Sequence, residues 1–303
     1  MLAPSETQLL DIIQKIAIVS NVEVTAKKVD KILLDGLNNL HIICDFDATM
    51  TRYYKNKDRK ERNPGSHLIL SSSSRLTDEF KEETKLLLEK YYPIEINPKL
   101  TKEQKIPYMV EWWNKAHELL IKQQINIDDF ATMVDETPVE MRSGLKELID
   151  KCKEKKVPFL IFSAGIGNVI EQVLIRKNLY HRENMHIVSN QMKFNLETGI
   201  CDDFTEPTIH IFNKSEIAVK HSPYHTTIEN RRNVILLGDS IGDLHMADGI
   251  EHDVCLTIGF LNHDVDNLLK SYLENFDVVV IDDGPMDVVN IILQEIDISE
   301  KKI

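Results

Sequence analysis

Apolar residues recur at helical spacing through the first forty positions: Leu9, Ile12, Ile13 and Ile16, then Val29, Ile32 and Leu33. This stripe predicts helix across residues 5–40. The pattern then changes. HIICDFDAT, residues 41–49, is a short apolar run closing on acids, which predicts a buried strand followed by a loop. Residues 55–75 are polar, carry Asn63-Pro64-Gly65 and the run Ser71 to Ser74, and predict a loop or flap. Helical spacing returns over 77–89, 105–124 and 127–134. Thr137-Pro138 marks a boundary, and 139–155 again reads as helix.

Beyond residue 155 the period shortens. VPFLIFSAG, NVILLGDS, DVCLTIGF and FDVVVIDDG are apolar runs of strand length, bounded by Gly, Asp or Ser and separated by helix-like segments. Alternating strands and helices predict a parallel sheet covered on both faces. Residues 186–212 predict an antiparallel hairpin around Glu197-Thr198-Gly199. The expected architecture is an α/β, Rossmann-like core of residues 1–50 and 140–303. A mainly helical segment, 51–139, is inserted after the first strand.

Composition narrows the function. Lys and Arg number 36 against 49 Asp and Glu, a formal charge of −13. That balance argues against a partner that is a nucleic acid polymer or an anionic membrane, while a small anion can still be held by local cations. The four cysteines form no C-x-x-C pair, which excludes a zinc ribbon or thioredoxin-like site and fits a reducing compartment. No run is long enough to span a bilayer, and the N-terminus makes a poor signal peptide, so a cytoplasmic protein is expected.

In an open parallel sheet, ligands bind beyond the C-terminal strand ends. Three such ends are polar here: Asp45-Phe46-Asp47-Ala48-Thr49, Ser163-Ala164-Gly165, and Gly238-Asp239-Ser240-Ile241-Gly242-Asp243. Lys214 lies between the second and third, in FNKSE. Each piece alone is weak evidence, since D-x-D-x-T occurs by chance and most lysines are solvated. Together and in order, they imply carboxylates that would repel one another without a hard, oxygen-liking cation, which suits Mg²⁺.

DFDATMT, FSAGIG, the lysine of FNK and GDSIGD resemble the four ordered motifs of the haloacid dehalogenase (HAD) superfamily of phosphatases. The longer runs KYYPIEINPKLTKEQKIPYMVEWWNKAHELL, IFSAGIGNVIEQV, NVILLGDSIGDLHMADG and IGFLN resemble the cytosolic 5′-nucleotidase III (pyrimidine 5′-nucleotidase) family, from about Leu40 to Leu293. EWWNKAH looks most like that family's 7-methylguanosine-phosphate-specific type.

The resemblance implies a HAD-like fold with the insert as cap, and a Mg²⁺-dependent nucleoside monophosphate phosphohydrolase acting through an aspartyl-phosphate. Asp45 is then the nucleophile and Asp47 the acid and base. Mg²⁺ is held by Asp45, the Asp47 carbonyl and Asp239, with Asp243 orienting bound water or Lys214. Ser163, the Ala164 N–H and Lys214 hold phosphate. Thr49 ties down the loop or contacts phosphate. Glu95 accepts hydrogen bonds from the base, and Trp113 or Trp112 stacks on it or packs in the cap. Two tryptophans about 100° apart on a helix cannot face one pocket equally.

His41, His210 and His245 neighbour the motifs and are expected to pack. Lys55 to Arg62 reads as a solvated loop or a steering patch for phosphate. The same motifs also serve phosphatases of other small esters, such as phosphoserine, and a decayed, non-catalytic binding protein is a further alternative. A monomer is expected.

Overall fold

The computed structural model describes residues 6–97, 99–215 and 223–300. Residues 1–5 and 301–303 of the expected core, residue 98 of the insert and Glu216 of FNKSE lie outside the described residues. The elements are α1 (Glu6–Ile13), β1 (Ile18–Val19), α2 (Val22–Asp35), β2 (Leu40–Cys44), α3 (Ser66–Ser71), α4 (Asp78–Glu95), α5 (Lys102–Lys122), α6 (Asp129–Glu136), α7 (Leu145–Glu154), β3 (Phe159–Ile166), α8 (Gly167–Arg176), β4 (Met185–Asn190), β5 (Met192–Phe194), β6 (Cys201–Phe204), α9 (Pro223–Ile228), β7 (Asn233–Gly238), β8 (Val254–Leu261), α10 (Val265–Asn275), β9 (Val278–Ile281) and α11 (Asp287–Glu300).

Seven strands form one sheet in the order β1-β9-β8-β7-β2-β3-β4. All neighbours run parallel except β1, which pairs antiparallel with β9 at the edge. From β2 the chain builds outward to β3 and β4, then returns to lay β7, β8 and β9 on the other side. The reversal falls between β2 and β7, and this is where an open α/β sheet has its crevice.

Both faces of the sheet are covered, which explains why the strands are continuous apolar runs. Ile42 and Cys44 point into one core with Ile235, Leu237, Ile258 and helices α2, α7, α8 and α11. Ile43 points to the other face with Leu160, Phe162, Leu236 and Tyr224 of α9. Asn21 caps α2 by accepting from the Val24 N–H, and Thr101 with Gln104 forms a full capping box on α5. Helices α3 to α6 all fall between β2 and β3.

Three expectations are corrected. The predicted helix over 5–40 is broken by β1, because two β-branched residues precede the Ser20-Asn21 start signal and find an edge partner in Val278 and Val279. The predicted loop over 55–75 contains α3, whose buried Ser66, Ile69 and Leu70 keep helical spacing that the surrounding serines mask. The predicted helix over 139–155 begins only at Leu145. Gly144, at φ 79, starts it, while Met141 bridges antiparallel to Thr51. The antiparallel hairpin expected within 186–212 is formed by β5 and β6 around Glu197-Thr198-Gly199, while β4 joins the main sheet.

Candidate active site

β2 ends at Cys44, and the chain turns through a π-helical turn, Phe46–Met50. Ala48 sits there at φ 60, a left-handed conformation costing a non-glycine residue about 1–3 kcal/mol unless its surroundings enforce it. Several groups do. Ala48 N–H donates to Thr51 Oγ1 at 2.8 Å, Asn262 Nδ2 donates to the Ala48 carbonyl at 2.9 Å, and Arg142 donates to the same oxygen. Arg142 also reaches the Thr49 carbonyl at 2.6 Å, the Gly284 carbonyl at 2.6 Å and Asn262 Oδ1 at 3.0 Å. Its guanidinium is fully buried and pairs at 3.3 Å with an equally buried Asp283.

This network corrects the expectation for Thr49. The Thr49 hydroxyl is buried without a protein partner, and the loop is tied by Thr51, Asn262 and Arg142 instead. No sequence signal separates Arg142 from a solvated helix residue.

The turn presents Asp45 and Asp47. Asp45 N–H is anchored on the Leu237 carbonyl of β7 at 3.0 Å. Its carboxylate lies 2.5 Å from Lys214 Nζ, and the same nitrogen donates to Asp243 Oδ1 at 2.9 Å. Asp243 is held from the other side by the N–H and hydroxyl of Ser240, at 3.0 and 2.9 Å. Residue 238 has to be glycine here, because a Cβ would come within 2.6 Å of Asp243 Cβ. Tyr272 hydroxyl donates to the Asp239 carbonyl, pinning the end of β7.

Asp45, Asp239 and Asp243 offer carboxylate oxygens within 4.8 Å of one another. Burial pushes the Asp239 carboxyl well above the carboxylate range, and Asp243 and Asp45 add to the shift against Lys214 and Arg142. Burial likewise raises Asp45, opposed by Lys214. Lys214 is lowered by burial but raised more strongly by Asp243 and Asp45, so it stays protonated. Among the described residues no lysine or arginine pairs directly with Asp239. The donor set is all oxygen, crowded and short of positive charge, which suits a hard divalent cation.

Asp47 lies under α3, where Ser66 donates to both of its oxygens. Ser163 is buried within β3, where the pairing with β4 is irregular between Phe162 and Ile166, and its Oγ accepts from the Gly165 N–H at 3.0 Å. Asn190 Nδ2 donates to the Ala164 carbonyl at 2.7 Å, and His67, next to Ser66, is pushed down to about 4 by burial. The Trp113 ring leans on His67 at 4.5 Å, while Trp112 stacks on Tyr91 at 5.8 Å. Both tryptophans border one cavity of about 500 Å³ between α3, α4 and α5, with His67, Thr84 and Leu88. The two rings share it because it runs along the α4–α5 groove. Glu95, at the end of α4, does not line it. Burial raises the Glu95 carboxyl, and Lys105 opposes the shift.

The structure therefore brings Asp45, Lys214, Asp239 and Asp243 together, and sets Ser66 against Asp47 and the neighbouring His67 against Trp113. His41 packs against Tyr224, its Nδ1 2.8 Å from the hydroxyl. His210 is also buried. His245, expected to pack, instead pairs with Asp248 at the surface. In the basic run, Lys55 pairs with Glu61, Arg59 with Asp282, and Arg62 stacks over Tyr53.

The sequence profile of the pyrimidine 5′-nucleotidase (UMPH-1) family matches residues 48–297. The chain belongs to the pyrimidine 5′-nucleotidase family. It is 42% identical over 262 residues to the 7-methylguanosine phosphate-specific 5′-nucleotidase of Gallus gallus, covering 86% of this chain and 89% of that one. Its fold matches a crystal structure of cytosolic 5′-nucleotidase IIIB bound to cytidine with a TM-score of 0.90 and 30% identity, covering 99% of this chain and 100% of the other. A HAD family hydrolase from Salmonella enterica serovar Typhi matches with a TM-score of 0.50 and 15% identity, covering 84% and 72% of the two chains, and shares the fold. The protein is thus a 5′-nucleotidase of HAD fold, a phosphoric monoester hydrolase acting on nucleoside monophosphates. No described helix is long and apolar enough to cross a membrane.

Proposed function

We propose that this 5′-nucleotidase is Mg²⁺-dependent and hydrolyses 7-methyl-GMP and pyrimidine monophosphates such as CMP through an aspartyl-phosphate. The observation that carries the mechanism is the meeting of Asp45, Asp239, Asp243 and Lys214 at the ends of β2 and β7. Asp45 attacks phosphorus in line while the P–O5′ bond breaks, and Asp47 gives its proton to the leaving 5′-oxygen. Asp47 then takes a proton from water as that water attacks the phosphoaspartate, releasing phosphate and restoring Asp45.

Lys214, the Ser163 hydroxyl and the Ala164 N–H bind phosphate oxygens. Lys214 also opposes the upward shift that burial imposes on the Asp45 carboxyl. Asp45, Asp239 and the Asp47 carbonyl would hold Mg²⁺, with Asp243 behind them fixing Lys214. When bound, Mg²⁺ offsets phosphate charge in the ground and transition states. Residues 51–139 act as a cap that excludes water, on a core of 1–50 and 140–303. The working protein is a cytoplasmic monomer.

The base preference rests on Trp113 and Glu95. A ring carrying the N7-methyl positive charge stacks better on an indole than a neutral ring. Glu95, seven residues beyond Leu88, lies about two turns further along α4. It would accept from the base N–H and amino groups. Cation–π stacking of about 0.5–2 kcal/mol corresponds to a two- to thirty-fold rate ratio.

Phosphate release with Mg²⁺, measured as kcat/KM across 7-methyl-GMP, GMP, CMP, UMP and phosphoserine, tests both parts. The expected order places 7-methyl-GMP above GMP by that ratio, keeps CMP as a substrate and leaves phosphoserine inert. Equal rates for 7-methyl-GMP and GMP would remove the stacking argument and leave a plain pyrimidine nucleotidase. Activity surviving chelation would remove the metal.

A further inference from the structure

One residue holds both oxygens of Asp47. The Ser66 N–H donates to Oδ1 at 2.8 Å, and the Ser66 hydroxyl donates to Oδ2 at 2.7 Å. Ser66 is fully buried. It is wedged between that carboxylate and the phosphate-binding turn, because a Cβ on Gly165 would come 2.1 Å from Ser66 Oγ. The glycine leaves the room that the hydroxyl fills. A carboxyl group otherwise spins freely about its last bond, and two bonds from one rigid residue fix its plane.

We infer that Ser66 is the positioning residue for proton transfer to the leaving group. This rests on reading Asp47 as the acid. The step balances simply: the Asp45–P bond forms, the P–O5′ bond breaks, and the proton on Asp47 passes to the departing 5′-oxygen. Ser66 does not touch the reacting atoms. It keeps the carboxyl in one orientation, so the proton is aimed when the bond breaks and the same edge meets water afterwards. A side chain on the preceding Gly65 would bring its Cβ to 3.3 Å from Asp47 Oδ1, so the carboxylate lies against the start of α3.

Leaving-group dependence separates aim from general damage. A nucleoside leaves as a poor alkoxide and needs the proton, whereas p-nitrophenolate leaves without it. The ratio kcat/KM reports only steps up to departure of the leaving group, so the later hydrolysis common to both esters drops out. Ser66→Ala is expected to lower kcat/KM for CMP by roughly tenfold or more, part of what general acid catalysis contributes. The loss for p-nitrophenyl phosphate should be clearly smaller, and that retained activity also reports a folded variant.

Asp47→Asn should show the same selectivity, and adding Ser66→Ala to it should not change the ratio of the two esters further. Equal losses on both esters, or none, would overturn the inference while leaving Asp47 as acid. An Asp47→Asn variant that does not discriminate the esters would overturn the acid assignment itself. Should alanine at 66 prevent folding, Ser66→Gly removes the same hydroxyl without crowding Ser163 and must produce the same selective loss.

Discussion

At the scale of single residues, the site sets the buried Asp45 and Asp243 and the half-buried Asp239 against one lysine. Asp45→Asn is nearly isosteric, so the fold should persist while turnover falls by roughly 10³-fold or more, the cost of losing a covalent nucleophile. Phosphate release and a circular dichroism spectrum together check this. Asp239 makes a second point. Its carboxyl is raised by burial, then by Asp243 and Asp45. A raised group stabilises the fold below its unfolded pKa and loses that contribution as pH rises through the folded value. At neutral pH the metal-free protein therefore carries Asp239 at a cost. Asp239→Asn should raise the melting temperature without metal, by roughly 2–4 °C per kcal/mol recovered. It should also lose the Mg²⁺-induced rise expected of the unaltered protein. Thermal melts of both forms with and without Mg²⁺ decide it, and an unchanged Mg²⁺ response in the variant would remove Asp239 from the metal site.

At the scale of elements, the strands were the most legible part of the sequence. A strand buried on both faces must be apolar throughout, so β2, β3, β7, β8 and β9 announce themselves, and the acids at their ends stand out against that background. What stayed hidden is held by tertiary contacts. α3 is six residues long, and its place under Asp47 cannot be read from Pro-Gly-Ser-His. The stretch 139–144 looks helical by spacing, yet Arg142 unwinds it to grip the turn that carries Asp45 and Asp47. Glu95 and Trp113 were each expected to meet the base, and of the two only Trp113 borders the cavity between α3, α4 and α5.

Arg142 supplies this scale's prediction. Asp283 keeps Arg52 at 3.1 Å and the Tyr53 N–H at 2.9 Å, but loses its buried partner in Arg142→Met. That change also leaves the Ala48 and Thr49 carbonyls short of donors. Removing one member of a buried pair costs about 3–5 kcal/mol, so denaturant unfolding should show a loss of that order. The variant should also turn over more slowly than its residual folded fraction accounts for, because Ala48 no longer has its left-handed conformation enforced. Loss of stability with full activity per folded molecule would show that the turn holds its shape without Arg142.

At the scale of the whole molecule, burial acts in opposite senses on the two kinds of titrating group. It depresses His41 to about 3 and His67, His117 and His210 to about 4, all from an ordinary value of 6.5. It raises Asp45, Asp47 and Asp239. A depressed histidine stabilises the fold above its unfolded pKa. That contribution fades as pH falls from 6.5 towards the folded value, since only the unfolded chain takes up protons there. Each such histidine then costs about 1.4 kcal/mol per pH unit. The raised carboxyls work the other way on acidification, so the net slope of the unaltered protein is a difference between the two. One substitution isolates the histidine part. His41 lies on β2 away from the carboxylate cluster, wholly buried with Nε2 unpartnered, its ring 5.4 Å from that of His252. Replacing it by phenylalanine removes one titration and none of the carboxylates. The stability difference between His41→Phe and the unaltered chain should swing by about 1.4 kcal/mol per pH unit between pH 6 and 4.5, in favour of phenylalanine as pH falls. Urea unfolding at four or five pH values measures it. Parallel curves would mean that His41 takes up its proton as readily in the folded core as in the unfolded chain, and the burial of β2 would not govern its charge.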